Sequence, residues 1–169
     1  DLEAGIRVLA GGRRRTIDVG HVVGGDYPDG RYFGNGIGIG FDAVVGFVAS
    51  KMKHIGGFLG YIIATLRTVF IYYPAPTVSL TWTNGTPGHH EDISLPALMV
   101  SVMNGQRMGG GFMMAPQGDA TDGLLDLCIA RQVSRLGVLG LVPHFMRGTQ
   151  ATQDAITTAR ATRLVVTTA

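Results

Sequence analysis

The chain has 169 residues, of which 46% are hydrophobic, and a formal net charge of only +2. A single domain of this length can bury a packed core, and so hydrophobic a composition excludes a disordered chain. The small net charge gives no support for nucleic-acid binding. Cys128 is the only cysteine, which excludes an intrachain disulfide and gives no indication of an oxidising compartment.

Glycine is the most unusual feature of the composition. There are 26 glycines, about twice the ~7% that is typical of proteins. They form no repeat, so we expect them in tight turns and close backbone contacts, which favours a strand-rich fold. In the first half, patterning predicts a helix from Asp1 to Gly11-Gly12. Then follow a strand (16–23), a turn (24–30), a glycine-rich strand (31–41) and two helices (43–53 and 58–73).

The second half returns to strands after Pro74 and Pro76. We predict strands over 78–82, 95–104, 124–130 and 163–168, with a helix over 134–146 despite Pro143. Asn84-Gly85 indicates a hairpin after the first of these strands. Strands and helices do not alternate regularly, which argues against a doubly wound parallel sheet. The predicted fold is mainly β, a β-sandwich with flanking helices.

Two groups of basic residues stand out against the low net charge: Arg13-Arg14-Arg15, and Lys51 with Lys53 and His54. Such a group beside an apolar surface can attract anionic lipid or phosphate, but each group taken alone is better explained as a solvated face or strand edge. The apolar segment 58–73 contains Arg67 and is shorter than the ~20 residues needed to span a bilayer. We therefore expect a buried or interfacial helix there.

Known phosphate and catalytic motifs are absent from the sequence. Gly34, Gly36, Gly38 and Gly40 are spaced by two, which puts them on one strand face and leaves room for a packed helix or a ligand, but no G-x-G-x-x-G or Walker A motif occurs. There is no G-x-S-x-G motif either. His89-His90-Glu91-Asp92 lacks metal-ligand spacing and is interpreted as a polar loop or hairpin.

A loop rich in aspartate is the most informative segment. In residues 104–127, three glycines follow a strand, and Asp119 and Asp122 precede Gly123 and a strand that contains Asp126. Carboxylates and freed carbonyls in a tight loop suit a hard cation such as Mg²⁺. The alternative is that both aspartates only cap turns of the loop.

The order of several short motifs resembles the C-terminal domain of the diacylglycerol kinase and sphingosine kinase family. The matching residues are Asn35, Gly38, the Gly-Phe-Asp-Ala segment 40–43, the Leu-Gly-Tyr segment 59–61, Asn104 with glycines 109–111, Pro116, and the Asp-Gly-Leu-Leu-Asp segment 122–126. The resemblance covers essentially the whole chain. It implies that residues 1–169 form the C-terminal β-sandwich domain of a two-domain fold shared with NAD kinases.

The resemblance also implies which chemical parts this chain holds. Family members bind ATP mainly with a Gly-Gly-Asp-Gly-Thr loop of an N-terminal domain, and their general base lies in an Asp-Gly-Glu turn; neither motif occurs here. We therefore assign no catalytic residue and expect the chain alone to be inactive, as a piece of a longer protein. The family's Mg²⁺ site maps onto the Asp122 carboxylate with the carbonyls of Asp119 and Leu124. Asp42 matches an acid near the lipid head group, or else is the N-cap of the helix that starts at Ala43.

The implied function is ATP-dependent phosphorylation of a lipid hydroxyl such as that of diacylglycerol, as in phospholipid biosynthesis. The expected setting is the cytoplasm, with peripheral contact at the inner membrane face, no nucleic-acid partner and a homodimer left open. A non-catalytic lipid- or partner-binding sandwich is the alternative. A relative of the polyphosphate/NAD kinases is a third option that agrees less well with the motifs.

Overall fold

The computed structural model describes residues 1–52, 57–71, 75–86, 88–109 and 111–168, without the side chains of residues 57 and 58. Predictions that concern Lys53, His54, Gly56, Tyr73, Pro74 and Gly110 lie outside the described residues. The helices are α1 (Leu2–Ala10), α2 (Phe41–Ser50), α3 (Gly57–Ile71) and α4 (Arg135–Arg147), with a 3₁₀ turn at Gln150–Thr152. The strands are β1 (Gly20–Gly24), β2 (Tyr27–Phe33), β3 (Gly36–Gly40), β4 (Thr77–Thr83), β5 (Glu91–Met103), β6 (Arg107–Met108), β7 (Phe112–Met113), β8 (Leu125–Arg131), β9 (Ile156–Ala161) and β10 (Arg163–Thr168).

Strand β5 organises the sheet because it belongs to two layers. Its first half pairs antiparallel with β4, and β4 pairs with β10. Its second half pairs with β3 on one edge and β8 on the other, and β8 pairs with β9. The register of β5 with β8 shifts between Ala97 and Met99, just after Pro96, where the pairing changes from one layer to the other. A single long strand thus joins the two sheets.

The two sheets enclose the first of two cores. Leu80 and Trp82 of β4 pack in one cluster with Val100 of β5 and with Leu127 and Ile129 of β8. Side chains that alternate along a strand point to opposite faces, so the neighbours of these residues face the other way. This arrangement confirms the predicted β-sandwich with flanking helices.

The second core lies between the sheet and the helices. Met99 and Met103 of β5 and Cys128 of β8 pack against the buried sides of α2, α3 and α4. Helix α4 is capped at both ends: Ser134 Oγ accepts a hydrogen bond from the Gly137 backbone at 3.1 Å, and Gly148 ends the helix with φ of +73°. Helices α2, α3 and α4 therefore cover one face of the sheet, and this side contains the candidate site.

The first forty residues differ from prediction in three places. Only the last part of the strand predicted over 16–23 is regular, since β1 begins at Gly20. The turn predicted over 24–30 is confined to Gly25 and Asp26, and the positive φ of Gly24 and Gly25 closes a tight hairpin. Strand β2 therefore starts at Tyr27, and Pro28 is tolerated because β2 pairs with β1 alone among the described strands. The long strand predicted over 31–41 is divided at Gly34 between β2 and β3.

The chain after α4 contains a strand that the sequence pattern did not indicate. Strand β9 pairs along its whole length with β8 and turns through Thr162 into β10, which has the predicted bounds. The Asn84-Gly85 hairpin joins β4 to β5 as predicted, although the connection is longer than two residues. His89 and His90 lie in this connection.

No helix within the described ranges is long and apolar enough to cross a membrane. Helix α3, the most apolar candidate from sequence, has 15 residues.

Candidate functional site

An open cavity lies between the helical layer and the sheet. Its volume is about 250 Å³, and its walls are mostly apolar. Both helices and strands contribute side chains to it: Phe41 and Val45 of α2, Met99 of β5, Phe112 of β7, and Leu141 of α4. Asp42 is the one carboxylate among the described residues that line it.

Asp42 is fixed at the cavity wall by neighbours on three elements. Its Oδ1 accepts a hydrogen bond from the Ala43 backbone at 2.9 Å, and its Oδ2 accepts one from the buried Ser101 hydroxyl of β5. On β3, a methyl group at Gly38 would overlap the Asp42 carboxylate, so only glycine leaves this space. The interpretation of Asp42 as an N-cap is wrong: α2 begins at Phe41 and its N-cap is Gly40.

Burial changes the acid strength of groups beside the cavity. Removal from water raises the pKa of Asp42 to about 7, although the hydrogen bonds from Ser101 and Ala43 act in the opposite direction. Burial also raises the pKa of Cys128 to about 12, with a smaller contribution from the nearby Asp42 charge. Asp42 therefore exchanges a proton near neutral pH, whereas the buried Cys128 thiol stays neutral and unreactive.

The glycine row packs against protein groups. A side chain at Gly36 would meet Met103, one at Gly38 would meet Asp42 in the first turn of α2, and one at Gly40 would meet the Leu98 carbonyl. Of the two explanations for the row, the packed helix is thus observed at Gly38. Gly38 also lines the cavity, so the close approach of β3 and α2 shapes its wall.

The aspartate loop lies at the start of β8, apart from the cavity. Asp119 Oδ1 accepts hydrogen bonds from the Thr121 backbone at 3.1 Å and from the Thr121 hydroxyl at 2.7 Å. Asp122 Oδ1 accepts one from the Leu124 backbone at 3.0 Å. The hydroxyl of Thr121 is the largest cause of the lowered pKa of Asp119. Both aspartates therefore make the turn-capping bonds that the alternative to a metal predicts.

Arg160 of β9 joins this loop to the sheet. Its guanidinium forms an ion pair with Asp122 Oδ2, and its Nε lies 3.6 Å from Asp126 Oδ1. Asp126 Oδ2 is buried without a hydrogen-bond partner, and burial raises the pKa of this carboxyl. Oxygen atoms thus converge here around a single cation, the guanidinium.

These donors fit a hard cation in type, because carboxylate and carbonyl oxygens are what Mg²⁺ prefers. Within the described ranges no group of three or more His, Cys, Asp or Glu side chains could hold a metal, so backbone carbonyls would have to complete the ligand set. Both oxygens of Asp122 are already engaged, one with Leu124 and one with Arg160. A cation at Asp122 must therefore compete with Arg160.

The irregular segment before β1 is tied to the same loop. Arg15 donates a hydrogen bond to Asp119 Oδ1 at 3.1 Å, so the first of the two basic groups has a defined partner. The Asp18 backbone donates to the Ala120 carbonyl at 2.7 Å, and Asp18 Oδ2 accepts from the Gly123 backbone at 2.7 Å. The loop between 119 and 123 is thus held from both sides.

Two residues that shape these sites were not identified from sequence. Ser101 lies within an apolar run of β5, and Arg160 lies in the unpredicted strand β9. Strand pairing places each beside its aspartate: Ser101 is opposite Gly38 of β3, which lies against Asp42, and Arg160 is opposite Asp126. Only the register of the sheet could have indicated them.

Comparison with known proteins now decides the family. Residues 35–169 match the family described as the YegS C-terminal NAD kinase beta sandwich-like domain. The chain belongs to this family. Two proteins named diacylglycerol kinase, from two strains of Mycobacterium tuberculosis, are each 30% identical over 159 residues, which cover 94% of this chain and 49% of theirs. The chain therefore spans about half the length of the curated relatives it matches.

A solved structure agrees with the fold. It is a crystal structure of a Bacillus anthracis str. Sterne protein provisionally assigned as a diacylglycerol kinase. The similarity has a TM-score of 0.50 at 22% identity and covers 81% of this chain and 42% of that one. The resemblance to the C-terminal domain of this kinase family, stated from sequence motifs, is confirmed.

Proposed function

We propose that this chain is the lipid-facing part of an ATP-dependent lipid kinase, which phosphorylates a lipid hydroxyl such as that of diacylglycerol. The observation that carries the proposal is the apolar cavity with one carboxylate, Asp42, in its wall. Apolar walls suit acyl chains, and a single fixed carboxylate suits a head-group hydroxyl. The names of the Mycobacterium tuberculosis relatives support the same class of reaction.

Asp42 has the properties of a head-group ligand. In its ionised form the carboxylate accepts a hydrogen bond from a lipid hydroxyl, and Ser101 and Ala43 hold it in one orientation. Phosphoryl transfer needs little covalent help from the protein and depends on positioning and charge neutralisation. Asp42 is therefore proposed as a substrate-binding residue, and no catalytic residue is assigned to this chain.

The proposed cofactors are Mg²⁺ and ATP. Mg²⁺ would be held by the Asp122 carboxylate with the carbonyls of Asp119 and Leu124, and when bound it would supply charge that orders the loop. The oxygen-rich surroundings and the unpartnered Asp126 Oδ2 support this assignment. ATP would be bound mainly by a part of the protein outside this chain, in keeping with the 49% coverage of the relatives.

The kinase would work in the cytoplasm, in peripheral contact with the inner membrane face, where its lipid substrate lies. We expect the 169-residue chain alone not to phosphorylate diacylglycerol, because the sequence has neither the Gly-Gly-Asp-Gly-Thr loop nor the Asp-Gly-Glu turn. An assay of the purified chain with ATP, Mg²⁺ and diacylglycerol checks this; measurable turnover would contradict it.

Lipid binding by the cavity is tested with the chain itself. Dioctanoylglycerol, titrated below its aggregation threshold, should shift the amide resonances of α2 and the signals of Tyr61 and Phe112. Asp42→Asn should weaken the binding by about five- to tenfold, since it removes a charged hydrogen-bond acceptor. Asp154→Asn, at an exposed position far along the chain, is the matched control. No shift at the cavity, or equal affinity in both variants, would refute the proposed site.

The alternative function, a non-catalytic lipid- or partner-binding module, predicts the same lipid titration. The two differ in the parent reading frame. A Gly-Gly-Asp-Gly-Thr segment upstream, together with diacylglycerol phosphorylation by the complete protein, would decide for the kinase. A complete protein that binds the lipid without phosphorylating it would decide for the module.

A further inference from the structure

Helix α3 has its polar and apolar residues in unusual places. Its inner side carries the buried Thr65 and Thr68, whose hydroxyls donate to the carbonyls of Tyr61 and Ala64 at 2.8 and 2.7 Å. Its outer side carries Leu66 and Phe70, which are 45% and 70% exposed. Ala64 and Val69 are buried beside them, so α3 carries apolar residues on both sides, whereas a helix that packs only against its own sheet has a polar outer side. The outer side is therefore built to contact something apolar.

Helix α2, which packs against α3, has a similar outer side. Phe47 is 60% exposed, and the Lys51 ammonium lies 4.0 Å from the centre of its ring. We define the outer helical surface as the exposed residues Phe47, Lys51, Leu59, Leu66, Arg67 and Phe70. Large apolar side chains and basic groups are thus exposed on two neighbouring helices. Single exposed apolar residues are common, but a grouped set marks an interaction site.

Charge identifies the kind of partner. Between Ala43 and His90 the sequence contains no acidic residue, whereas Lys51, Lys53 and Arg67 are basic. A surface that combines large apolar side chains with lysine and arginine, and lacks acids, is complementary to an anionic lipid bilayer. An ordinary protein partner would not require that acids be absent over so long a segment.

The position of the cavity gives a second reason. The inner sides of the same two helices wall the cavity, through Val45 and Gly46 of α2 and Tyr61 and Thr65 of α3. A bilayer against the outer side would lie one helix thickness, about 10 Å, from the cavity. A lipid could then pass between membrane and cavity without crossing the sandwich.

We propose that the outer helical surface docks the protein on an anionic bilayer, with Leu66 and Phe70 inserted and Lys51 and Arg67 at the head groups. The inference rests on the proposed function in one respect: the bilayer would supply the lipid that enters the cavity. The docking itself depends only on the helices.

Vesicle sedimentation with the 169-residue chain tests the surface. Wild type should bind vesicles of mixed phosphatidylcholine and phosphatidylglycerol, and bind less to pure phosphatidylcholine and at high salt. Leu66→Ser with Phe70→Ser should weaken binding to the anionic vesicles at least about tenfold. Arg67→Gln should weaken it about fivefold, the effect of one basic residue near an anionic surface.

Matched control variants distinguish binding by this surface from non-specific binding to vesicles. Leu136→Ser changes a leucine of α4 that is 79% exposed, and Arg13→Gln removes an arginine outside the two helices. Both should bind anionic vesicles as wild type does. Because every substituted residue is exposed, unchanged circular dichroism and melting temperature are expected, and they establish that the variants are folded.

Three results would overturn the proposal: no binding of wild type to anionic vesicles, equal losses in the control variants, or a solution dimer that Leu66→Ser with Phe70→Ser converts to monomer. The last would assign the surface to a second copy of the chain. Dioctanoylglycerol titration without vesicles distinguishes this failure from failure of the proposed function. A chain that binds the soluble lipid but no vesicle would disprove the docking surface and leave the cavity assignment intact.

Discussion

The two faces of the second half of β5 differ in how completely the neighbouring side chains fill the space against them. On the sandwich face, Leu80, Val100 and Leu127 are almost completely buried between two sheets. On the helical face, the neighbours of Met99 and Cys128 leave a cavity of about 250 Å³ with a carboxylate in its wall. Dense packing stabilises a fold, whereas a preformed cavity gives up contacts to keep a binding volume. One sheet thus separates the part of the molecule that stabilises it from the part that can bind.

A pair of leucine truncations tests this difference most strongly. Leu127 in the sandwich is 1% exposed, and Leu141 at the cavity is 8% exposed. Leu127→Ala should reduce the free energy of unfolding by about 3–5 kcal/mol, because the rigid sheets cannot close the new void. Leu141→Ala should cost about 2 kcal/mol, since its side chain already faces an open volume. Urea unfolding of both variants measures the two losses, and equal losses would mean that the helical face is packed as tightly as the sandwich.

The second prediction concerns the ionisation of Asp42 in the wall of the cavity. Asp42 has a folded-state pKa raised from 3.8 to about 7, so the folded protein binds a proton more tightly than the unfolded chain. Its contribution to stability is fully present below pH 3.8 and is lost as the pH rises through 7. At about 1.4 kcal/mol per pKa unit, the loss over this whole range is roughly 4 kcal/mol.

Asp42→Asn should remove this dependence, because the amide does not titrate. The difference in unfolding free energy between wild type and variant should therefore change by roughly 3 kcal/mol between pH 5 and pH 8, with the variant favoured at the higher pH. Comparing the two proteins cancels the titration of the other groups. If the unfolding free energies of the two proteins change in parallel with pH, Asp42 is solvated and water enters the cavity more readily than its apolar lining indicates.

Sequence patterning identified the elements whose residues carry a local signal. Strand β10 was predicted with its observed bounds, and α4, predicted over 134–146, lies within one residue of those bounds. Strand β9 was missed because Thr157, Thr158 and Arg160 give it no apolar alternation, although it is paired along its whole length with β8. Its position in the sheet is determined by its pairing with β8, and a single sequence does not show which strands pair.

The candidate site was predictable to a similar degree. The motifs identified Asp42, Asp119 and Asp122, but not the Ser101 hydroxyl that orients the first or the Arg160 guanidinium that pairs with the last. Both missing partners belong to neighbouring strands and are remote in sequence. The helix start was also placed two residues late, which produced the incorrect N-cap role for Asp42. Residue types indicate chemistry, whereas the contacts that tune it depend on register.

The last prediction concerns the aspartate loop, the site outside both cores. A cation bound only to the native state stabilises it by about 2.7 kcal/mol at a hundredfold excess over Kd. If Asp122 is a ligand, millimolar Mg²⁺ should raise the melting temperature of wild type and leave that of Asp122→Ala unchanged. Asp154→Ala, which removes an exposed carboxylate elsewhere, should respond as wild type does.

The ion pair between Asp122 and Arg160 makes the test sharper, because the guanidinium and the metal would compete for the same carboxylate oxygen. Arg160→Gln should lower stability without Mg²⁺, since it leaves Asp122 unpaired and Asp126 without its nearest positive charge. The same variant should respond to Mg²⁺ at lower concentration than wild type does, because the competing cation is gone. If Asp122 only caps a turn and balances Arg160, Mg²⁺ will leave the melting temperatures of wild type, Asp122→Ala and Arg160→Gln equally unchanged, and calorimetry will detect no bound ion.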